Sequence, residues 1–425
     1  MERDRTTHPG LPTEGEVVIV GAGIMGCGLA WRLGQLGRRV IIVDRGEPGG
    51  EASTAAAGIL AAQIEAQGSP ELLDLALASR ALYPRWAQAL QDEVGLDVGL
   101  RRCGVLMLAA EDPALRGADL HAQQTLLLDQ RARGLPVEAL TADQLQRLEP
   151  SLSHVAGALL FPEDGQVEPA RLLNALQAAA VRHGVRFVTA GVRRLDLATR
   201  PGDMHVVQLH NGDSADPWPL RAQTLVLAAG SWSSLITGAP LSPPSIEPVR
   251  GQMVELFAAP SILRHVCFGH VPSHIAAGRT PTAGGAAGRE AGHGYLVPRG
   301  DGRIVIGSTT ERVGFVKEVT VAGLLDLLTL AETLVPALGH ATVTRTWSGL
   351  RPGSSDGLPV IGAVPRGGES PDQARVFVCS GHYRNGILLA PASVEALAAR
   401  ICGQPPPVEL AGVRWSAFSP LRFAG

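Results

Sequence analysis

Three glycines near the start of the chain have the spacing of a nucleotide-binding turn. Gly21, Gly23 and Gly26 form G-x-G-x-x-G directly after the apolar run from Val17 to Val20, which is typical of a buried strand in a parallel sheet. In such a turn the first glycine permits a tight bend, the second lets the backbone approach a pyrophosphate, and the third lets the following helix pack closely on the strand. The N terminus of that helix would then face the phosphates.

An acidic residue at the end of the next apolar run indicates which dinucleotide this turn would bind. Asp44 ends the run that begins at Val40. A carboxylate at this place accepts hydrogen bonds from ribose hydroxyls and repels a 2′-phosphate. The sequence therefore favours FAD or NAD over NADP. Because strand, turn, helix, second strand and acid fall within one βαβ unit, an ordinary glycine-rich turn is the less favoured interpretation.

Small residues follow two of the predicted strands. The loop at residues 45–60 is rich in glycine, alanine, serine and threonine, so it could lie closely against an extended ligand, with Ser53 and Thr54 as hydroxyl donors. Residues 224–227 predict another buried strand, which ends in the small residues 228–230. Open α/β sheets bind ligands at this end of their strands. An ordinary loop and an ordinary core strand are the alternative interpretations.

A second group of polar side chains lies in turns near the C terminus. Residues 347–362 contain many turn formers around Arg351 and Asp356, and residues 380–387 form a glycine-bracketed turn between an apolar run and a helical segment. The N terminus of that helix could stabilise an electron-rich group. The guanidinium of Arg351 could bind a carboxylate through two hydrogen bonds, although a structural salt bridge explains this arginine equally well.

Length and composition indicate a large globular enzyme. The chain has 425 residues, of which 45% are hydrophobic, and a formal net charge of −3, which argues against a nucleic-acid binder. The five cysteines are scattered, odd in number and form no C-x-x-C pair. This pattern argues against a disulfide framework or a zinc site and favours a reducing, cytoplasmic environment. Residues 1–15 predict a disordered leader rather than a signal peptide, and no segment has the roughly eighteen apolar residues that span a membrane.

The order of predicted elements divides the chain into two interleaved domains. We assign residues 16–95, 150–245 and 340–425 to a discontinuous α/β nucleotide-binding domain of Rossmann type. Residues 96–149 and 246–339 form the second domain, in which apolar runs at 252–257, 294–298 and 303–307 predict an antiparallel β-sheet closed by a helix over 321–334. Residues 276–294 are rich in glycine and alanine and predict a mobile loop.

Together these motifs resemble those of the FAD-dependent D-amino acid oxidase superfamily. The resemblance rests on the first fingerprint and on residues 228–232, 349–362 and 381–391, and it runs in family order from residue 16 to about residue 402. The first fingerprint is shared by very many enzymes, whereas the C-terminal pair of motifs is specific to this branch. Within the superfamily, the chain is most similar to the glycine oxidases of thiamine biosynthesis.

The resemblance implies an α/β fold with a discontinuous domain for non-covalently bound FAD and a substrate domain built on an antiparallel sheet. It also implies oxidative deamination of glycine, and of small amines such as sarcosine or small D-amino acids, with release of ammonia and hydrogen peroxide. The product imine and glyoxylate would supply the thiazole branch of thiamine biosynthesis. The expected partners are a small amino acid, dioxygen and further copies of the chain, commonly in a tetramer. No nucleic acid, membrane or metal ion is expected.

The resemblance also assigns roles to individual residues. Arg351 would bind the substrate carboxylate, and Tyr295, Arg384 and His293 would lie beside it in the catalytic pocket, although packing or structural roles explain these three as well. The expected FAD-binding residues are Gly21, Gly23, Ile24, Met25, Gly26, Asp44, Arg45, Ser53, Thr54, Gly58, Ala229, Gly230, Trp232, His382, Arg384, Asn385, Gly386 and Ile387.

Two other functions stay open on the sequence alone. The chain could be another oxidase or dehydrogenase of the same superfamily that acts on sarcosine or on a larger D-amino acid. It could also be a dinucleotide-binding protein without catalysis. A substrate panel that compares peroxide formation with dye reduction distinguishes a glycine oxidase from another oxidase or dehydrogenase. The visible spectrum of the purified protein identifies its cofactor.

Overall fold

The computed structural model describes residues 12–66, 68–200, 202–211, 217–241, 245–260, 262–270, 293–366 and 368–423. Most of the predicted loop at 276–294 and residues 1–11 of the predicted leader lie outside these ranges. None of the described helices combines the length and apolar character needed to cross a lipid bilayer.

The helices are α1 (Ile24–Gln35), α2 (Ala52–Ala55), α3 (Ala62–Glu65), α4 (Pro70–Val94), α5 (Pro113–Ala132), α6 (Ala142–Leu148), α7 (Pro169–Arg182), α8 (Val321–Leu334) and α9 (Gly386–Ile401).

A first sheet contains the nucleotide-binding motif. Its strands are β1 (Glu14–Val20), β2 (Val40–Asp44), β8 (Arg186–Thr189), β9 (Gly191–Asp196), β10 (His205–His210), β11 (Trp218–Leu227), β17 (Val360–Ala363) and β18 (Val376–Ser380). Their order is β17-β18-β11-β1-β2-β8, with β10 and β9 extending antiparallel from β11. Strand β1 pairs in parallel with both β2 and β11. One face of the sheet packs against α1, α4, α7 and α9 in a continuous apolar core.

The long helix α4 shows how local sequence sets an element of this layer. Ser69 accepts a hydrogen bond from the Leu72 N–H at 3.2 Å, and Pro70 occupies the first helical position. Gly95 ends the helix in the left-handed conformation, with φ at 70°. A serine cap, an initial proline and a terminal glycine are the usual signals for the two ends of a helix. The helix therefore begins and ends at the residues where these local signals lie.

A second sheet forms the other half of the molecule. Its strands are β4 (Val105–Ala110), β5 (Glu138–Thr141), β6 (Val155–Phe161), β12 (Ile246–Phe257), β13 (Val266–His270), β14 (His293–Pro298), β15 (Arg303–Gly307) and β16 (Thr342–Ser354). The order is β16-β12-β15-β14-β13-β4-β6-β5, and all pairs are antiparallel except β4 with β13. Helix α8 packs on this sheet. A short pair, β3 (Ile59–Leu60) with β7 (Gly165–Gln166), completes the strands. The fold is therefore the expected α/β combination.

Two strands pair in the second sheet although they lie in segments that the sequence predicts for the first domain. Strand β6 lies in the segment predicted for the nucleotide-binding domain, yet it pairs with β4 and β5 in the second sheet. Strand β16 pairs with β12 along its length, although residues 340–425 were assigned to the first domain. An apolar run predicts a strand but carries no information about its distant partner. The predicted leader was also too long, because Glu14 and Gly15 already pair with β11.

Buried hydrogen bonds join the two halves beside the loop that follows β2. Arg299 donates from Nη2 to the Ala57 carbonyl at 2.6 Å and from Nη1 to Gln166 Oε1 at 2.7 Å. Burial lowers the pKa of Arg299 to about 10. Trp347 donates its indole N–H to the Ala55 carbonyl at 3.0 Å. The small-residue loop is thus held by side chains of the second sheet.

Close packing of α1 on β1 predicts a specific sensitivity at Gly26. A Cβ added there would lie 1.8 Å from the Gly21 carbonyl oxygen, so Gly26→Ala must move the helix. We expect this variant to lose about 1–3 kcal/mol of unfolding free energy, the usual effect of overpacking, and to lose bound nucleotide. Urea unfolding measures the change. Gly46→Ala is the control, since a Cβ at Gly46 meets nothing within 4 Å, and equal stability of the two variants would contradict the prediction.

Candidate active site

A cleft between the two sheets collects most of the predicted site residues. It has a volume of about 480 Å³ and runs from the end of β2, past the start of α1, to the start of α9 and the middle of β16. The predicted residues that line it are Gly21, Gly23, Ile24, Met25, Asp44, Arg45, Ser53, Gly58, Ala229, Gly230, Trp232, Tyr295, Arg351, His382, Arg384, Asn385, Gly386 and Ile387.

The glycine turn leaves room for a ligand at one end of the cleft. Gly21 has φ at 107°, and a Cβ there would lie 2.3 Å from the Ala228 carbonyl oxygen. Only glycine tolerates both the backbone angle and the close approach of β11. Ser53 accepts the Ile24 N–H at 2.9 Å, which leaves the serine hydroxyl proton to donate to a ligand. This end of the cleft has the form that a dinucleotide phosphate requires.

Asp44 organises the backbone around the same turn. Its Oδ2 accepts the Ala22 N–H at 2.7 Å, and its Oδ1 accepts the Gly46 N–H at 3.0 Å. Each carboxylate oxygen retains a further lone pair for a ribose hydroxyl. Arg45 lies 4.0 Å above the centre of the Trp232 ring, in cation–π geometry. These side chains therefore form one ordered wall of the cleft.

Two predicted residues contribute differently from the expectation. Thr54 does not line the cleft, because its hydroxyl donates to the Gly49 carbonyl at 2.7 Å within its own loop. Threonine readily forms such local bonds to the backbone. Gly26 also lies off the cleft surface and acts by packing α1 onto Gly21. The Thr54 hydroxyl is therefore used within its own loop, whereas Ser53 lines the cleft.

The other end of the cleft is formed by the start of α9. Asn385 precedes the helix, and its Oδ1 is buried with no hydrogen-bond partner in the described part of the protein. A buried polar atom of this kind favours a ligand that donates to it. His382 Nε2 lies 3.0 Å from Ser393 Oγ. Burial lowers the pKa of His382 to about 3, so this imidazole is neutral at pH 7.

The two ends together test whether the cleft suits FAD. A glycine turn with a helix N terminus suits the diphosphate, and the carboxylate of Asp44 suits a ribose. The buried Asn385 oxygen and the N terminus of α9 suit the polar edge of a flavin ring. The residues present therefore fit FAD. Among the described residues, His, Cys, Asp and Glu form no cluster that could hold a metal ion.

Arg351 points a guanidinium into the cleft from β16. A Cβ at Gly251, on the paired strand, would lie 2.1 Å from Arg351 Nη2. The guanidinium therefore packs directly against the backbone of Gly251. Nη1 donates to the Thr309 carbonyl at 3.3 Å, and Nη2 donates to Ser308 Oγ. Burial and the positive charge of Arg384 lower the pKa of Arg351. Within the described ranges no acidic side chain pairs with it, which excludes a salt bridge among those residues.

Tyr295 and Arg384 complete this part of the cleft. The Tyr295 ring lies over Gly307, its partner in the β14–β15 register, and its hydroxyl donates to Met253 Sδ at 3.4 Å. Arg384 Nη2 lies 3.4 Å from Thr310 Oγ1. Two guanidiniums and a phenol hydroxyl thus surround a space beside the start of α9.

The structure adds residues that the motifs did not indicate. Ser308, Gly251 and Met253 line the cleft and contact Arg351 or Tyr295. Of these three residues, only Ser308 has a signal in the sequence. It directly follows an apolar strand, where small polar residues often face a site. The predicted pocket residue His293 begins β14, but its side chain lies outside the described part of the structure.

Comparisons with known proteins show the family of this chain. The family described as DAO, FAD dependent oxidoreductase, matches residues 16–400. Glycine oxidase from Geobacillus kaustophilus is 34% identical over 88% of this chain and 90% of that protein. The bifunctional protein ThiO/ThiG of Synechocystis sp. is 32% identical over 97% of this chain, which spans 55% of that protein. The crystal structure of the Geobacillus kaustophilus glycine oxidase superposes with a TM-score of 0.79 at 33% identity, covering 97% of this chain and all of that one.

Because His382 is buried and neutral, we expect the protein to lose stability as the pH falls. Its folded pKa of about 3 lies below the ordinary value of 6.5, so unfolding takes up a proton below about pH 6.5. The stability that this histidine contributes is present above that pH and is lost as the pH falls. We expect His382→Gln, which cannot titrate, to show a smaller fall in melting temperature between pH 7.5 and pH 5 than the wild type. The control His340→Gln removes an exposed histidine, and a fall in His382→Gln as large as the wild-type one would contradict the assignment.

Proposed function

Because this chain belongs to the DAO family of FAD-dependent oxidoreductases, we propose that it oxidises glycine, and small amines such as sarcosine, by oxidative deamination. One observation carries the proposal: the guanidinium of Arg351 faces the cleft without an acidic partner in the described residues. A partly buried positive charge is stabilised by an anionic ligand. The names of two relatives, glycine oxidase and ThiO/ThiG, support a small amino acid as that ligand.

FAD is the cofactor of this enzyme, and we infer that different residues of the cleft bind its diphosphate, its ribose and its flavin ring. The glycine turn, Ser53 and Asp44 would hold the diphosphate and ribose, and Asn385 with the start of α9 would hold the flavin. When bound, FAD supplies the two-electron acceptor that dioxygen regenerates with release of hydrogen peroxide. All other contributions come from the protein, which binds and orients the substrate.

The charges of the pocket explain how a small amino acid would be prepared for oxidation. Arg351 would grip the carboxylate through two N–H groups, which fixes the direction of the Cα–H bond. Tyr295 would donate its hydroxyl to the same carboxylate. The two positive charges of Arg351 and Arg384 disfavour an ammonium group beside them. The substrate amine would therefore bind neutral, with its lone pair free to assist departure of the hydrogen from Cα.

The atoms balance without a dedicated acid or base. Glycine loses two electrons and two protons to become an imine, and water then hydrolyses the imine to glyoxylate and ammonia. The two electrons and two protons appear in hydrogen peroxide.

We infer that the imine and glyoxylate supply the thiazole branch of thiamine biosynthesis, an inference supported by the name of the Synechocystis relative. The five cysteines are all unpaired thiols, which supports a reducing, cytoplasmic environment. The homo-oligomer stays a prediction, which light scattering can test.

The first test is the reaction itself. We expect the purified protein to be yellow, and anaerobic glycine to bleach its visible flavin absorption. Readmission of air should restore the colour with formation of peroxide. A panel of glycine, sarcosine, D-alanine and D-proline then ranks the substrates by kcat/KM. A flavin spectrum that glycine does not change would overturn glycine as the substrate, and a colourless protein that takes up no flavin would overturn the proposal as a whole.

The second test concerns Arg351. We expect Arg351→Met to raise the KM for glycine by about a hundredfold, because it removes two hydrogen bonds to a charged group, while FAD content stays near the wild-type value. Arg345→Met is the matched control on the same strand, since Arg345 is exposed. If Arg351→Met loses FAD as completely as it loses activity, Arg351 is a structural residue.

A further inference from the structure

A buried polar cluster adjoins the segment that accepts the hydrogen bonds of Arg351. It consists of Arg250, Gln252, Thr309 and Glu311, which we call the β12 cluster, and each of these residues is at most 8% exposed. Two belong to β12, and the other two follow the end of β15. None of the four lines the cleft. Their contribution to the site must therefore act through a neighbour.

Glu311 is the centre of this cluster. Its Oε1 accepts hydrogen bonds from Gln252 Nε2 at 2.7 Å and from the Thr309 hydroxyl at 2.5 Å. Its Oε2 accepts from Arg250 Nη2 at 2.5 Å. Although burial raises the pKa of Glu311, the hydrogen bonds from Arg250, Thr309 and Gln252 outweigh it and lower the pKa overall. Glu311 is therefore ionised, and its charge is balanced by Arg250.

The segment between Glu311 and β15 holds Arg351. The Thr309 carbonyl and the Ser308 hydroxyl accept the two hydrogen bonds of the guanidinium. Thr309 is itself fixed to β12, because its hydroxyl oxygen accepts the Gln252 N–H at 2.9 Å while its proton goes to Glu311. The Thr309 hydroxyl therefore accepts one hydrogen bond and donates another. Thr309 therefore links Glu311 to Arg351, because its hydroxyl donates to the carboxylate and its carbonyl accepts from the guanidinium.

We propose that Glu311 is a positioning residue, which acts through the Thr309 hydroxyl to hold Arg351 in the orientation that grips a carboxylate. The inference rests on the proposed function, in which Arg351 binds the carboxylate of the substrate. The charge arrangement fits this role. Because Arg250 neutralises Glu311, the carboxylate orders the segment without forming an ion pair with Arg351. The positive charge in the cleft therefore stays available to the substrate.

Thr309→Val is the sharpest test, because it removes the connecting hydroxyl and leaves the Arg250–Glu311 pair in place. Glu311→Gln is less suitable, since it leaves the buried charge of Arg250 unpaired and threatens folding. Two quantities are measured. One is the KM and kcat for glycine, and the other is the dissociation constant of acetate, taken from the change that acetate causes in the visible spectrum of the bound flavin.

We expect Thr309→Val to raise both the KM for glycine and the acetate dissociation constant about tenfold, the usual effect of losing one hydrogen bond, with kcat changed less than about twofold and FAD content unchanged. Thr309→Ser should restore both constants. Thr329→Val is the matched control, because Thr329 donates its hydroxyl to the Leu325 carbonyl on the exposed surface of α8.

The outcomes separate the two proposals. If Arg351→Met weakens acetate binding and Thr309→Val does not, the positioning role of Glu311 is wrong and the proposed function stands. If Thr309→Val lowers kcat or FAD content as much as it weakens acetate binding, the cluster is structural and the inference is again wrong. If neither variant changes acetate binding and glycine is not oxidised by the wild type, the proposed function itself fails.

Discussion

The positive charge of Arg351 is the interaction on which the site depends. A guanidinium withdrawn from water loses hydration and needs compensation from acceptors or from an opposite charge. In the described part of this chain the compensation comes from one carbonyl and one hydroxyl oxygen, at Thr309 and Ser308. These neutral acceptors fix the direction of the side chain but leave its charge unbalanced. In the proposed function the substrate carboxylate supplies the missing negative charge. Gly251 has no side chain, so the guanidinium can lie against its backbone.

The surrounding architecture follows from the need to bring two different surfaces together. The first sheet presents the glycine turn and the start of α9, which suit a long cofactor. The second sheet presents Arg351 and Tyr295, which suit a small ligand. Arg299 and Trp347 join the halves through the carbonyls of Ala57 and Ala55. The same loop therefore lines the cleft and joins the two sheets, and it is rich in small side chains that permit both close approaches.

Local motifs were readable in the sequence, and contacts between distant segments were not. The βαβ unit from β1 to β2 follows from spacing alone, because its strand, turn and helix are neighbours in sequence. Strand β6 pairs with β4, and β16 pairs with β12, across segments that lie between the two partners in sequence, and periodicity does not encode which distant strand is the partner. In the site, the resemblance indicated Arg351, Tyr295 and Asn385 through their motifs. Ser308 has no motif, and the engagement of Thr54 by Gly49 depends on the fold of one loop.

The strand order has a consequence for how the enzyme is made. Strand β18 lies beside β11 in the middle of the first sheet, and α9 packs on α1 and α4, yet both are encoded after residue 375. A ribosome delivers the chain from its N terminus at roughly 5–20 residues per second. The glycine turn therefore emerges many seconds before the strands that complete its sheet. In nascent chains the end of β11, at Leu225–Leu227, has no β18 to pair with until then, and flavin loading belongs to the end of translation rather than its beginning.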